Sequence, residues 1–305
     1  MNVGIVGLGR MGAAIALRAH QEGFPVIGFD PDRTSAENAR QQGISIAASL
    51  DDLARNTDVI WIMVPAGQIV DSVIEQLTPH LRSGAIIIDG GNSKFTDSIR
   101  RAASLARNQI AFVDCGTSGG IHGKEHGFCL MVGGELSAYQ RIEPLLKAVA
   151  APQAYAHVGP SGAGHYVKMV HNGIEYGLMQ AYAEGFHILK EGSFKDAHLD
   201  LETISGIWMH GSVIRSWLLE LSHQIFTHDQ QLKDISGVVA ESGMGKWTIE
   251  DAQKHAIPAP VIADSLKVRV ESANGGNFAT KLLALLRNAF GGHSFGTTKS
   301  TVKKS

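Results

Sequence analysis

The hexad Gly7-Leu8-Gly9-Arg10-Met11-Gly12 constrains the fold of this chain more than any other feature. It follows the apolar run Val3 to Val6 and opens an amphipathic stretch, Met11 to Gln21. That strand–turn–helix setting is where G-x-G-x-x-G has physical meaning. Gly7 permits the tight turn, Gly9 lets a pyrophosphate approach the backbone, and Gly12 lets helix and strand pack closely. The helix N-terminus adds unpaired N–H groups and positive dipole charge for phosphate. A glycine-rich turn alone could serve packing only. Here the next apolar run, Val26 to Phe29, ends in Asp30, 18 residues after Gly12, where a carboxylate reaches an adenosine ribose. An Asp there repels a 2′-phosphate and favours NAD over NADP, although Arg33 could still reach such a phosphate. Val64 and Pro65, at the end of the run from Val59, and Asn92 complete the expected cofactor-binding set of Gly7, Leu8, Gly9, Arg10, Met11, Gly12 and Asp30.

Further short apolar runs at Val59 to Val64, Ala85 to Ile88, Ile110 to Val113 and Phe128 to Val132 alternate with helix-period segments such as Ile69 to Leu77. This rhythm predicts βαβ units and a doubly wound parallel sheet, the Rossmann-type α/β class. At Gly159-Pro160-Ser161-Gly162-Ala163-Gly164 the strand-like runs stop. We therefore expect a dinucleotide-binding domain over 1–160 and an all-α substrate-binding and oligomerisation domain over 161–305, built on a long helix from Ala163 to about Lys190. More helix is expected over Leu201 to Leu221, Gln231 to Glu241, Pro260 to Glu271 and Phe278 to Phe290, and a solvated basic end over Lys299 to Ser305.

With 305 residues, 44% hydrophobic and 18% charged, the chain can bury a sizeable core. A net charge of −2 excludes a long-range field that would draw the whole molecule to nucleic acid or to an anionic membrane. No apolar run approaches the roughly 18 residues of a membrane span, so a soluble, cytoplasmic protein is expected. Cys115 and Cys129 are too few for a disulfide framework and should be free thiols.

Three constellations carry chemistry. Asp89-Gly90-Gly91-Asn92-Ser93 closes one predicted strand, at the sheet edge where ligands bind in such folds. Asp114-Cys115-Gly116-Thr117-Ser118-Gly119-Gly120 ends another in small residues that offer N–H and hydroxyl donors. In Gly164 to Tyr176, Lys168, His171, Asn172 and Glu175 stand at i, i+3, i+4 and i+7, so one helical face carries an amine, an imidazole, an amide and a carboxylate. Gly173 in that helix costs roughly 1 kcal/mol and suggests a close approach to the backbone.

At these residues the sequence resembles the decarboxylating 6-phosphogluconate dehydrogenases of the β-hydroxyacid dehydrogenase superfamily. The run Val167 to Tyr176 carries the resemblance, together with Gly245-Lys246-Trp247-Thr248, Arg269 and Arg287-Asn288-Ala289-Phe290-Gly291-Gly292-His293. The resemblance implies oxidation of 6-phosphogluconate at C3, loss of C1 as carbon dioxide and formation of ribulose 5-phosphate, within pentose phosphate metabolism. It implies that Lys168 is the base and acid at the C3 oxygen and that Glu175 protonates C1 of the enediol. Asn92, Ser118, Gly119, Gly120, His171 and Asn172 would hold the sugar carboxylate and hydroxyls, Tyr176, Lys246, Thr248, Arg269 and Arg287 the phosphate, and His293 would also bind substrate. In the family the counterparts of Arg287 and His293 come from a neighbouring subunit, so a homo-oligomer with shared sites, a dimer or a tetramer, is expected. The length resembles the family's short form, which lacks half of a duplicated helical domain.

A rival is an NAD-dependent 3-hydroxyacid dehydrogenase with a phosphate-free substrate, which would not need Lys246, Thr248, Arg269 and Arg287. A non-catalytic cofactor-binding regulator would leave Lys168 and Glu175 unexplained. His122-Gly123-Lys124-Glu125-His126 spells H-x-x-E-H, a zinc-protease pattern, but the glycines around it oppose the helix such a site needs, and no metal is expected.

Overall fold

The computed structural model describes residues 1–241 and 243–297, so the segment Lys299 to Ser305 lies outside the described residues. The chain divides into two compact units, Met1–Met169 and Val170–Ser305, and the division falls inside one long helix.

The first unit is an eight-stranded sheet. Its strands are β1 (Val3–Val6), β2 (Val26–Phe29), β3 (Ser45–Ile46), β4 (Val59–Ile62), β5 (Ile86–Asp89), β6 (Ala111–Ser118), β7 (Phe128–Gly134) and β8 (Ala150–Gly159). The order is β3-β2-β1-β4-β5-β6-β7-β8, with all pairings parallel except β6 with β7. The strand order reverses between β1 and β4, the place where this sheet type opens a ligand crevice at the strands' C-terminal ends. The connecting helices are α1 (Arg10–Gln21), α2 (Arg33–Gln41), α3 (Leu50–Asn56), α4 (Gln68–Leu77), α5 (Phe95–Ala106), α6 (Gly123–His126) and α7 (Leu136–Val149).

β1, β4 and β5 are buried along their whole length because helices cover both faces. Ile5, Trp61, Ile86 and Ile88 pack towards Ile15 of α1 and Ile142 and Leu145 of α7. Their neighbours Ile60, Ile62 and Ile87 pack on the opposite face with Leu53, Val70, Leu77 and Leu105. Each such side chain removed from water contributes about 1.5–3 kcal/mol.

The antiparallel β6–β7 pair departs from the purely parallel sheet expected from the sequence. β3 and β8 give no apolar run to read. β3 has only two residues, and β8 is an edge strand rich in Ala with Pro152 and few buried positions. Cys115 on β6 is buried and Cys129 on β7 exposed, and both are free. The H-x-x-E-H segment forms a 3-10 turn over Gly120–His122 and the single turn of α6.

The second unit continues α8 (Ala163–Glu191) from Val170 and adds α9 (Leu201–Trp208), α10 (Trp217–His228), α11 (Met244–Lys254), α12 (Pro260–Glu271) and α13 (Phe278–Gly291). Met179, Ala183 and Phe186 of α8 form a core with Leu219, Leu221 and Phe226 of α10 and with Phe278, Leu282, Leu283 and Leu286 of α13.

Two helical expectations are corrected. The stretch from Leu201 to Leu221 is broken after Trp208, where Gly211 takes φ +79° and Ser216 caps a new helix by accepting the Leu219 N–H at 3.1 Å. Gln231 to Glu241 is not a helix. Leu232 and Gly237 take φ of +50° and +75°, and the Val239 N–H donates to Ser272 Oγ at 2.9 Å. The apolar spacing there reflects Leu232 and Val239 separately filling the core. Among the described residues no helix is long and apolar enough to cross a membrane.

Candidate functional site

The first unit presents a cradle at the β1–α1 turn. Gly7 adopts φ +92°, where a side chain would press on the Met63 carbonyl, and a Cβ on Gly12 would collide with the Gly7 carbonyl oxygen. By contrast, nothing lies within 4 Å of a Cβ placed on Gly9. Gly9 is the N-cap of α1, with no side-chain cap and no acidic residue in the first turn. The helix therefore keeps N–H groups and dipole charge for an anion. Arg10 is exposed, Met11 half-buried and Leu8 buried.

Asp30 directly follows β2. Its Oδ2 accepts the Leu8 N–H at 2.6 Å and its Oδ1 the Asp32 N–H at 2.8 Å, so the carboxylate is fixed to the glycine-rich turn. Asp32 N-caps α2 by accepting from Ser35, whose hydrogen bonds hold the Asp32 carboxyl below its usual range. Arg33 is the first residue of that helix and is exposed. These features fit a dinucleotide with free ribose hydroxyls, held by Gly7, Gly9, Gly12 and Asp30. Val64 lies beneath the Gly91 backbone, and Pro65 is exposed beside it.

After β5, Asn92 takes φ +54° and clamps the strand edge. Its Oδ1 accepts the Thr117 N–H at 2.9 Å and its Nδ2 donates to the Thr117 carbonyl at 3.1 Å. One amide hydrogen of Asn92 remains for a ligand. Ser118 ends β6, and Gly119 and Gly120 follow at φ +124° and +55°.

Three buried groups beneath this edge were not assigned roles in the sequence. Asp89 accepts from Ser93 Oγ at 2.8 Å and pairs with Arg101 at 3.2 Å. Arg101 also pairs with Asp71 at 2.8 Å, and that contact is the first cause of the lowered Asp71 pKa. Asp114 accepts the Gly162 and His165 N–H groups at 2.6 and 2.8 Å, at the start of α8. The legible signal was a carboxylate closing each of two successive apolar runs, followed within two residues by Gly.

Lys168 is 5% exposed, on the second turn of α8. The β6 backbone passes so close at Gly116 that a Cβ there would collide with the Lys168 Cβ. The base of the Lys168 side chain is thereby held against β6 at Gly116.

In the second unit, His171 Nδ1 lies 3.0 Å from Asn172 Oδ1 and 3.9 Å from Glu175 Oε2. The close approach foreseen at Gly173 is made by α11, because a Cβ would lie 2.7 Å from Thr248 Cγ2. Gly245 likewise sits against the Tyr176 ring, 2.5 Å from Cε2 to a hypothetical Cβ. Arg269 of α12 lays its guanidinium 3.2 Å from the centroid of that ring, a cation–π contact. Its Nη2 also reaches Met179 Sδ at 3.6 Å.

Arg269 and Arg287 are 3% and 6% exposed. Burial pushes Arg269 down to about 10, still far above neutrality, and lowers Arg287 as well. Each remains a cation, with the Glu175 and Glu241 carboxylates acting on both electrostatically, and among the described residues neither makes an ion pair within 4 Å. A bound dianion would satisfy both. Tyr176, Thr248, Arg269 and Arg287 are thus brought together. Lys246 is 64% exposed and lies 3.9 Å from Glu250. His293 is exposed beyond α13, with its carbonyl accepting from Asn288 Nδ2 at 2.8 Å.

Comparison with known proteins places these features. Residues 2–159 match the family model described as the NAD binding domain of 6-phosphogluconate dehydrogenase, and residues 164–277 match that of its C-terminal domain. The chain is 44% identical over 298 residues to the NAD(+)-dependent, decarboxylating 6-phosphogluconate dehydrogenase of Haloferax volcanii, covering 96% of this chain and 98% of that protein. Among solved structures it resembles Plasmodium falciparum 6-phosphogluconate dehydrogenase at a TM-score of 0.81 and 26% identity, over 95% of this chain and 70% of that one. Mycobacterium tuberculosis 3-hydroxyisobutyrate dehydrogenase shares the fold at a TM-score of 0.75 and 22% identity, over 93% of this chain and 98% of that one.

Proposed function

The chain belongs to the 6-phosphogluconate dehydrogenase family, and from that premise we propose that it oxidises 6-phosphogluconate at C3 with NAD, releases C1 as carbon dioxide and forms ribulose 5-phosphate. The observation that carries this reading over a phosphate-free 3-hydroxy acid is the buried pair Arg269 and Arg287 beside Tyr176 and Thr248. Two desolvated cations on which Glu175 and Glu241 act, but with no close ion pair among the described residues, suit a phosphate dianion.

NAD, when bound, supplies the acceptor for the hydride that leaves C3. Gly7, Gly9 and Gly12 would hold its pyrophosphate against the start of α1, and Asp30 its adenosine ribose. Lys168 would take the C3 hydroxyl proton as the carbonyl forms, which requires a neutral amine at the outset. The resulting β-keto acid loses C1 as carbon dioxide, the electron pair of the broken bond moves towards C2 and O3, and Lys168 returns its proton to O3. Glu175 would then protonate the terminal carbon of the enediol, as Lys168 withdraws a hydroxyl proton to complete the keto product. Asn92, Ser118, Gly119, Gly120, His171 and Asn172 would orient the carboxylate and hydroxyls.

The assembly we propose is a homo-oligomer with sites shared between chains. Exposed Ile174, Leu178 and Val261 in the second unit support self-association. The test is kcat/KM for 6-phosphogluconate against gluconate and 3-hydroxyisobutyrate. The proposal requires 6-phosphogluconate to lead by orders of magnitude, and an equal or better phosphate-free acid would overturn it.

A further inference from the structure

Resting on the reading of Lys168 as the base at C3, we infer that His165, held by Ser98, is a positioning residue for the Lys168 amine. The His165 imidazole is fully buried in the first unit, with one ring nitrogen hydrogen-bonded and the other not.

Its Nδ1 lies 2.7 Å from Ser98 Oγ, and Ser98 is itself fully buried on α5. Among the described residues Nδ1 is the one hydrogen-bond partner of that hydroxyl. Were Nδ1 the donor, the hydroxyl hydrogen and the Nε2 lone pair would both be buried and unpaired. Ser98 therefore donates to Nδ1, and the ring proton sits on Nε2, which has no hydrogen-bond partner among the described residues. A buried N–H left in this way opposes folding, and an apolar side chain of similar shape would avoid the cost. Stability alone gives no reason for a histidine here.

The placement of Lys168 does. At about 100° per residue, Lys168 stands about 40° around α8 from Gly164 and about 60° from His165, between the two. Gly164 marks the side of β6, where a Cβ would lie 2.4 Å from the Asp114 carbonyl oxygen. His165 marks the side of α5, where Ile99 closes on Gly162 and the Phe95 ring meets the Tyr166 ring edge-on at 5.2 Å. Helical side chains lean towards the N-terminus of their helix, so the Lys168 stem leans back over the turn that carries Gly164 and His165. The base is held between β6 at Gly116 on one side and the Ser98–His165 pair on the other.

α5 is in turn tied to the ligand edge. One turn after Ser98, Arg101 pairs with Asp89 at 3.2 Å, and Asp89 accepts from Ser93 Oγ, the neighbour of Asn92, at 2.8 Å. Buried polar groups thus link the segment of Asn92 to the turn that sets Lys168.

The test is a double-mutant cycle of Ser98→Ala and His165→Leu in the full chain, read as kcat and as KM for NAD and for 6-phosphogluconate. Each single change should lower kcat by about 10- to 100-fold through misplacement of the base, with both KM values held within about twofold. Because the two residues act as one unit, the double variant should be no slower than the slower single. Ser98→Thr keeps the hydroxyl and should keep most of kcat, and this comparison carries the test if His165→Leu does not fold. Losses that multiply in the double variant, a rise in both KM values at unchanged kcat, or Ser98→Thr as slow as Ser98→Ala each overturn the inference. A second measurement does not depend on the substrate. The full chain is reductively methylated with formaldehyde and cyanoborohydride, and the rates at Lys168 and at the exposed Lys267 are read by peptide mass spectrometry. Ser98→Ala should be modified faster than wild type at Lys168 and at the wild-type rate at Lys267, whereas an unchanged ratio contradicts the inference. A wild-type chain inert towards 6-phosphogluconate would sink the functional reading and leave this ratio to decide the role of His165.

Discussion

The Asp114 carboxylate accepts the His165 N–H at 2.8 Å, one turn before Lys168 on the same helix. Its other oxygen accepts the Gly162 N–H at 2.6 Å, and the side chain is fully buried. A carboxylate here satisfies two orphan donors of α8 and meets the positive end of its dipole. It ties the middle of β6 to the helix that carries the proposed base. Ser98 Oγ, 2.7 Å from His165 Nδ1, fixes the same turn from α5.

Asp114→Asn should therefore cost about 1.5–3 kcal/mol of stability, because one charge-assisted acceptor is lost while the N–H groups stay buried. Urea unfolding measures the stability, and steady-state kinetics should show kcat falling with KM for NAD unchanged. An unchanged unfolding midpoint would remove the structural role assigned to this carboxylate.

Gly9 and Gly12 should separate binding from folding. Gly12→Ala drives a methyl into the Gly7 carbonyl and should cost roughly 1–3 kcal/mol or more in thermal or chemical unfolding. Gly9→Ala meets no protein atom and should leave stability unchanged while raising KM for NAD about tenfold, or roughly 1.4 kcal/mol.

Asp30→Ser tests coenzyme choice. Loss of charge-assisted hydrogen bonds to the ribose should lower kcat/KM with NAD by about 10- to 100-fold, corresponding to roughly 1.5–3 kcal/mol. With NADP the repulsion of a 2′-phosphate is removed and Arg33 remains nearby, so the NAD-to-NADP ratio should narrow. A ratio that does not change would mean that Asp30 serves the turn alone, through its bonds to Leu8 and Asp32.

Arg101 links stability to pH. Its hydrogen bond is the first cause of the lowered pKa of Asp71, and burial of the carboxyl opposes it. A carboxyl whose folded pKa lies below its unfolded value adds stability above the unfolded value of about 3.9, and that stability is lost as pH falls through the folded value. Arg101→Met should destabilise by about 3–5 kcal/mol at neutral pH, because it leaves Asp89 and Asp71 without their buried cation. The difference from the parent should shrink on acidification, as read by urea titrations from neutral pH to below 4.

The first unit was legible where strands are long apolar runs and glycines punctuate them, so β1, β2, β4 and β5 and the Gly7–Gly12 turn could be read directly. The edge strand β8 could not, because few of its positions are buried and it gives no apolar run. Lys168, His171, Asn172 and Glu175 were legible as one helical face, whereas Tyr176, Thr248, Arg269 and Arg287 were singled out only through the family resemblance. Asp114 and Arg101 escaped because their partners lie 48 and 30 positions away in the chain, and no local spacing reports such pairs. The break at Gly211 and the extended path of Gln231 to Glu241 were hidden by apolar residues that each reach the core without helical periodicity.

The central claim is oxidative decarboxylation, and its most direct test follows reduced coenzyme and carbon dioxide together from 6-phosphogluconate and NAD. The account predicts equal amounts of NADH and carbon dioxide at every time point, with ribulose 5-phosphate as the organic product. NADH without carbon dioxide, or no turnover of 6-phosphogluconate, would contradict it.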